Sequence, residues 1–223
     1  MPGLPDAVLF DMDGLLLDSE RLYLEAFGSA CEAHGYPFER SVYLQLICTP
    51  DDEARAILLR GYGTAFPVDA VSALAAERYR ARVEATPVPL KAGALELLDF
   101  LERHAVPRAV VTSTETALAR HKLRLAGVLG AFAFVLGYDR VPRPKPAPDP
   151  YQTACARLGV APARALALED SENGVRSALS AGLKVVQVPD LKVPSAAFLR
   201  LGHEVRASLR EVLSGLEPAQ VGA

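Results

Sequence analysis

Hydrophobic residues along the chain follow two rhythms. Short runs that are apolar almost throughout, rich in Val, Leu, Ile and Phe, alternate with longer stretches in which apolar residues return every three or four positions. The first rhythm predicts strands covered on both faces and the second predicts helices packed against them, which together favour an α/β fold with a parallel sheet flanked by helices. The predicted strands are 7–10, 109–111, 134–136, 165–168 and 185–188. Each of the first four is followed or closed by a polar residue or glycine.

The interval between the first two strands is far longer than one crossover helix needs, so it holds an insertion. Its pattern is helical over residues 19–84. Leu22, Ala26, Phe27 and Ala30 share one face until Gly35 stops the turn. A second helix is expected to open with Thr49 as N-cap, Pro50 at the first position and Asp52 near the positive end of the dipole, turning Ala54, Ile57 and Leu58 inward. A third carries Val71, Leu74, Ala75 and Tyr79. The proline-rich segment 86–93 (TPVPLKAG) reads as the return hinge. The expected organisation is an α/β core of 1–16 and 87–223 and an all-helical cap of 17–86.

Composition narrows the partners. Half of the 223 residues are hydrophobic, enough for a sizeable core. With 24 basic against 27 acidic residues and a net charge of -3, no field draws the chain onto nucleic acid or an anionic membrane. Cys31, Cys48 and Cys155 are widely spaced in apolar surroundings, as free thiols in a reducing compartment would be. Neither a secretory segment nor a membrane span is signalled, since the N-terminus has no basic region and the uncharged stretch 126–138 is too short to span a bilayer. A cytoplasmic protein is expected.

Chemistry-bearing residues cluster at the strand ends. After the first strand comes DMDG, with Asp11 and Asp13 at the carboxyl edge where open α/β sheets bind ligands; the same residues also suit a plain Asp-Gly turn. The second strand leads into Thr112 and Ser113, whose hydroxyls can donate to an anion or cap the next helix. The fourth leads into Glu169 and Asp170, which can complete an oxygen-only Mg²⁺ site or sit solvated before a helix closed by Gly182. After the third lies RPKPAPDPY, residues 143–151, with Lys145 between prolines. Such a run can be a polyproline docking ligand. Yet Asp149 and Pro150 fit a helix start, Gln152 the capping-box position, and Tyr151, Ala154, Cys155 and Leu158 a buried helical face. That leaves Lys145 in a stiff loop on the same edge as the acids and hydroxyls. Acids for a cation, an ammonium and hydroxyl donors are what phosphoryl transfer requires.

This set resembles the haloacid dehalogenase superfamily, in the subgroup with a helical cap inserted after the first motif: DMDG, Thr112, Lys145 in RPKPAPDPY, and the acidic pair ED. The resemblance implies a Rossmann-like core, with Asp11 as nucleophile and Asp13 as general acid and base. It implies Mg²⁺ held by Asp11, the backbone carbonyl of Asp13 and Asp170, with Glu169 assisting directly or through water. Thr112, Ser113, Lys145 and Asn173 are expected to hold the phosphoryl group. Pro144 replaces the glycine that usually precedes the lysine, and Arg143 precedes that proline.

Asp13 separates the chain from the dehalogenases, which lack it. Tyr23 stands where the sugar phosphomutases carry a histidine, so the resemblance favours a phosphatase over a β-phosphoglucomutase-like enzyme. The segments DMDGLLLDSERLY and EDSENGV are similar to those of pseudouridine-5'-phosphate and glycerol-phosphate phosphatases. Cys48, in place of a cap glycine, implies a narrower pocket. The expected partner is a small phosphate monoester and the expected state a monomer; a non-catalytic binding protein on the same fold is the alternative of another class. The four histidines are expected to be structural, and Arg55, Arg60, Arg78 and Arg82 to solvate the cap helices.

Overall fold

The structure is a computed structural model and describes residues 3–47, 49 and 51–216. It divides the chain into two compact units, one of the residues up to Asp18 together with those from Pro89 onward, the other of Ser19–Val88. In chain order, β1 (Ala7–Phe10) is followed by the four helices of the second unit, α1 (Ser19–Ala33), α2 (Arg40–Leu46), α3 (Asp51–Tyr62) and α4 (Val68–Ala85). The first unit resumes with α5 (Ala94–Arg103), β2 (Arg108–Val111), α6 (Thr116–Leu125), β3 (Val135–Leu136), α7 (Asp149–Leu158), β4 (Ala165–Glu169) and α8 (Glu172–Ser180). It ends with β5 (Lys184–Gln187), α9 (Ala196–Leu199), β6 (Glu204–Val205) and α10 (Leu209–Leu216).

The six strands form one sheet in the order β3-β2-β1-β4-β5-β6, and every pairing is parallel. All carboxyl ends therefore lie on one edge, and β1 sits between β2 and β4 where the strand order reverses. Side-chain alternation sends Leu9, Ala109, Val111, Ala165, Ala167 and Val185 into one core with Tyr151, Ala154 and Cys155 of α7 and Val175 and Ala178 of α8. Small residues at 109, 165 and 167 let those helices approach the sheet. The opposite face is covered too, since Val8, Phe10, Val110 and Leu168 are fully buried. Each such Val, Leu or Phe contributes about 1.5–3 kcal/mol on leaving water.

The helical unit is built on aromatic contacts. Tyr23 meets Tyr79 edge to face at 5.4 Å, Phe27 meets Tyr43 at 5.4 Å, and Tyr62 stacks on Phe66 at 4.4 Å. Ile57 and Leu58 of α3 and Val71 and Ala75 of α4 are buried, on the faces their spacing predicts.

Several sequence expectations are corrected. The sixth strand was not expected; at two residues it is too short to leave an apolar run. Helix α2 is likewise additional, and Thr49 closes it: its hydroxyl donates to the Gln45 carbonyl at 2.7 Å and its backbone N–H to that of Leu46. The expectations placed on Cys48 and Pro50 fall outside the described residues. Asp149 does not cap α7 but is its first residue, after Pro148. Arg143 claims the Asp149 carboxylate in a two-pronged pair of 3.1 and 2.9 Å, which outcompetes the neutral backbone donor a cap would serve. Among the described residues, no helix is long and apolar enough to cross a membrane.

Candidate active site

Asp11 leaves β1 with its backbone N–H still bonded to the Leu168 carbonyl of β4 at 2.9 Å, and its side chain is buried. Met12 is fully buried, and the chain then turns at Gly14, whose φ of 81° is a left-handed conformation that glycine adopts without steric cost. Residues 12–17 fold back on themselves through Gly14 N–H to the Leu17 carbonyl and Leu17 N–H to that of Met12, both 2.9 Å. Asp13 is thereby held just beyond the strand end.

Glu169 is the last residue of β4 and is fully buried. It lies so close to α8 that a Cβ on Gly174 would sit 1.9 Å from its Oε2, so glycine alone fits there. Ser171 caps α8 by accepting from the Gly174 N–H at 3.1 Å. Asp170 lies between them, half-buried, its backbone carbonyl accepting from the Gln187 side chain of β5 at 2.9 Å. One carboxylate oxygen from each of Asp11, Glu169 and Asp170 lies within 4.8 Å of the others.

Lys145 enters this cluster from the proline-flanked loop. Its ammonium donates to Asp11 Oδ1 at 2.6 Å, Glu169 Oε1 at 2.6 Å and the Val111 carbonyl at 2.9 Å. All three ammonium donors are thus committed. Tyr151 donates its hydroxyl to the same Glu169 oxygen at 2.5 Å, and its ring lies 5.3 Å below the ammonium. At the other end of the loop, the Arg143–Asp149 pair fastens it to α7.

Thr112, at the end of β2, is buried, and its Oγ1 accepts from the Thr114 backbone N–H at 3.1 Å. It does not cap α6, whose N-cap is Glu115. Ser113 and Asn173 are exposed, the first in the turn after β2 and the second in the first turn of α8. The Asp13 carboxylate is engaged by two residues that sequence reasoning passed over: Thr114 donates to Oδ2 at 2.6 Å and Lys122 pairs with Oδ1. Tyr151 was expected as packing only. A hydroxylated ring at a fully buried position is the signal, because its O–H must find a partner.

The electrostatics follow from charge counting. Three carboxylates face one ammonium that touches two of them. Burial pushes the Asp11 carboxyl up to about 8, against the pull of Lys145 and with the push of Glu169 and Asp13. Burial alone would lower the Lys145 ammonium, but Asp11 and Glu169 outweigh it and the net shift is upward. Tyr151 is pushed well above its usual value by burial and by the Glu169 charge, so it remains a donor. An all-oxygen donor set with surplus negative charge fits a hard divalent cation.

The haloacid dehalogenase-like hydrolase family profile matches residues 5–182, a span that holds all of these groups. The chain is 31% identical over 213 residues to the Phosphorylated carbohydrates phosphatase of Thermotoga maritima, covering 95% of this chain and 98% of the relative. It is 35% identical over 177 residues to Validoxylamine A 7'-phosphate phosphatase of Streptomyces hygroscopicus subsp. limoneus, covering 78% and 81%. The crystal structure of a HAD family hydrolase from Deinococcus radiodurans R1 with bound phosphate and sodium superposes with a TM-score of 0.83 at 30% identity, covering 95% of this chain and 94% of that one. Parallel sheet, strand-end acids and profile agree, and the chain belongs to the haloacid dehalogenase-like hydrolases.

Proposed function

We propose that the protein is a Mg²⁺-dependent phosphomonoesterase acting on a small phosphorylated metabolite, with Asp11 as the nucleophile. The observation that carries this reading is the meeting of the Asp11, Glu169 and Asp170 carboxylates with the buried Lys145 ammonium at the carboxyl edge of the sheet. Relatives named for phosphorylated carbohydrates and for validoxylamine A 7'-phosphate support a sugar, polyol or nucleoside phosphate as substrate. In this reading 1–16 and 87–223 form the catalytic core and 17–86 the cap. The protein works as a cytoplasmic monomer with no nucleic-acid or membrane partner, in keeping with its net charge of -3.

Asp11, Asp170 and the Asp13 backbone carbonyl would hold the cation. Glu169 supports them from behind, since its Oε1 is already committed to Lys145 and Tyr151. When bound, the cation supplies positive charge to the phosphoryl oxygens and keeps Asp11 ionised. The Asp11 carboxylate attacks phosphorus, the bond from phosphorus to the ester oxygen breaks, and Asp13 gives its proton to the departing alcohol. Water then attacks the aspartyl-phosphate, its proton passes to Asp13, and the bond between Asp11 and phosphorus breaks to release phosphate. Thr112, Ser113 and Asn173 would donate to phosphoryl oxygens. Lys145 acts through its charge, because its three donors are already in use.

The test is phosphate release from a panel of hexose, polyol, glycerol and nucleoside monophosphates, pseudouridine 5'-phosphate included, with Mg²⁺ or with EDTA. Release that EDTA lowers at least about 100-fold and added Mg²⁺ restores is expected. Silence across the panel, with conversion of β-glucose 1-phosphate to its 6-phosphate isomer, would replace the phosphatase with a mutase.

A further inference from the structure

Asp13 is held by two residues that the reaction scheme above does not itself require. Lys122 stands on α6 at a position where the helical period returns Ala119 and Leu123 to the core, and its side chain is only 1% exposed. Its ammonium donates to Asp13 Oδ1, while the Thr114 hydroxyl donates to Oδ2 at 2.6 Å. A charged donor on one oxygen and a neutral donor on the other fix the plane of the carboxylate as well as its place.

The supports are themselves anchored. The Thr114 N–H bonds to Thr112 Oγ1 at 3.1 Å, so the turn after β2 is tied to the strand end. Two residues on, Thr116 donates its N–H and hydroxyl to Asp139 Oδ1 at 2.8 and 2.7 Å, which secures the start of α6 against the loop after β3. Asp13 is thus referenced to the sheet through two strands besides its own.

Packing does not explain Lys122. Desolvating an ammonium on a core-facing helix position is costly, and leucine or methionine would fill the same space without that cost. The lysine adds a charged contact with Asp13 that neither could make.

The geometry points to Lys122, with Thr114, as the positioning pair for the acid–base carboxylate of this enzyme. The inference rests on the reading of Asp13 as the group that protonates the leaving alcohol. With Asp13 loosened, attack by Asp11 is unaffected in kind, but the breaking bond between phosphorus and oxygen must push out an alkoxide. Alkyl esters suffer from that. A p-nitrophenyl ester does not, because nitrophenolate leaves without a proton.

The experiment compares Lys122→Met and Thr114→Val with wild type, using the alkyl phosphate of the panel above that wild type turns over fastest, and p-nitrophenyl phosphate. The readout is kcat/KM, which reports steps through departure of the alcohol and leaves out the later water attack. The alkyl-to-aryl ratio is expected to fall about 30- to 100-fold in Lys122→Met and less in Thr114→Val, with the double variant losing less than the product of the two. A ratio that stays at the wild-type value, whether both esters slow together or neither does, overturns the inference and leaves the phosphatase standing. Should Lys122→Met fail to fold, Thr114→Val, which removes one hydroxyl at a partly exposed position, decides by the same ratio. A wild type that releases phosphate from none of the panel's esters is a different failure, that of the phosphatase reading, and takes the inference with it.

Discussion

Asp11→Asn is expected to reduce phosphate release by roughly 10³-fold or more while leaving the protein folded, because the amide keeps the shape but cannot attack phosphorus. Stability should respond in the opposite direction. In the metal-free protein Asp11 is a buried carboxyl raised from its ordinary 3.8 to about 8. A group raised in this way contributes stability that is fully present below its unfolded value and lost as the pH climbs through its folded one. Thermal unfolding in EDTA should therefore show wild type losing stability between about pH 4 and about pH 8, with a flatter profile for Asp11→Asn. Wild-type turnover in the variant would remove Asp11 from the chemistry. An equally steep profile would assign the pH dependence to another group.

Lys145→Met is the second large effect. The substitution takes the ammonium from Asp11, Glu169 and the Val111 carbonyl at once, leaving two buried carboxylates without their cation. Breaking a buried pair by removing one partner costs about 3–5 kcal/mol, or about 10 °C in Tm for a chain of this size. The sign with pH is again fixed. Without the ammonium the buried Asp11 carboxyl loses the cation that pulls it down, so it holds its proton to higher pH and the deficit against wild type grows as the pH rises. Arginine is not a substitute, since its planar fork cannot reproduce three donors spread around one nitrogen. Phosphate release should fall with stability in Lys145→Met and stay low when Mg²⁺ restores the Tm. An unchanged Tm would show that the pair contributes nothing net.

How much of this was legible in the sequence depended on contrast. Asp11, Thr112, Glu169 and Asp170 each follow or close an apolar run, where a polar residue stands out, and the edge they share follows from parallel strands alone. Lys145 was legible through its prolines. Lys122 was not: a lysine in an amphipathic helix is read as solvent-facing by default, and only its spacing from Ala119 betrays the buried side. Glu169 and Asp170 were legible as a pair but not as individuals. Adjacent acids at a strand end look interchangeable until the fold commits one to Lys145 and Tyr151 and leaves the other, partly buried, beside Asp11. Asp149 was misassigned for a related reason, because a cap is a local pattern and Arg143 is a competing partner only once the loop has folded.

Hydrophobic periodicity by itself determined the α/β class, the helical insertion and the presence of acids, hydroxyls and a lysine at the strand ends, since strand and helix periods are properties of the local backbone. Tertiary structure alone decided which oxygen meets which proton. The 2.6 Å contacts of Lys145 join residues 134 and 24 positions apart in the chain, and the bond from Thr114 to Asp13 spans 101. No local pattern encodes such distances; they follow from β1 lying between β2 and β4 in the folded sheet.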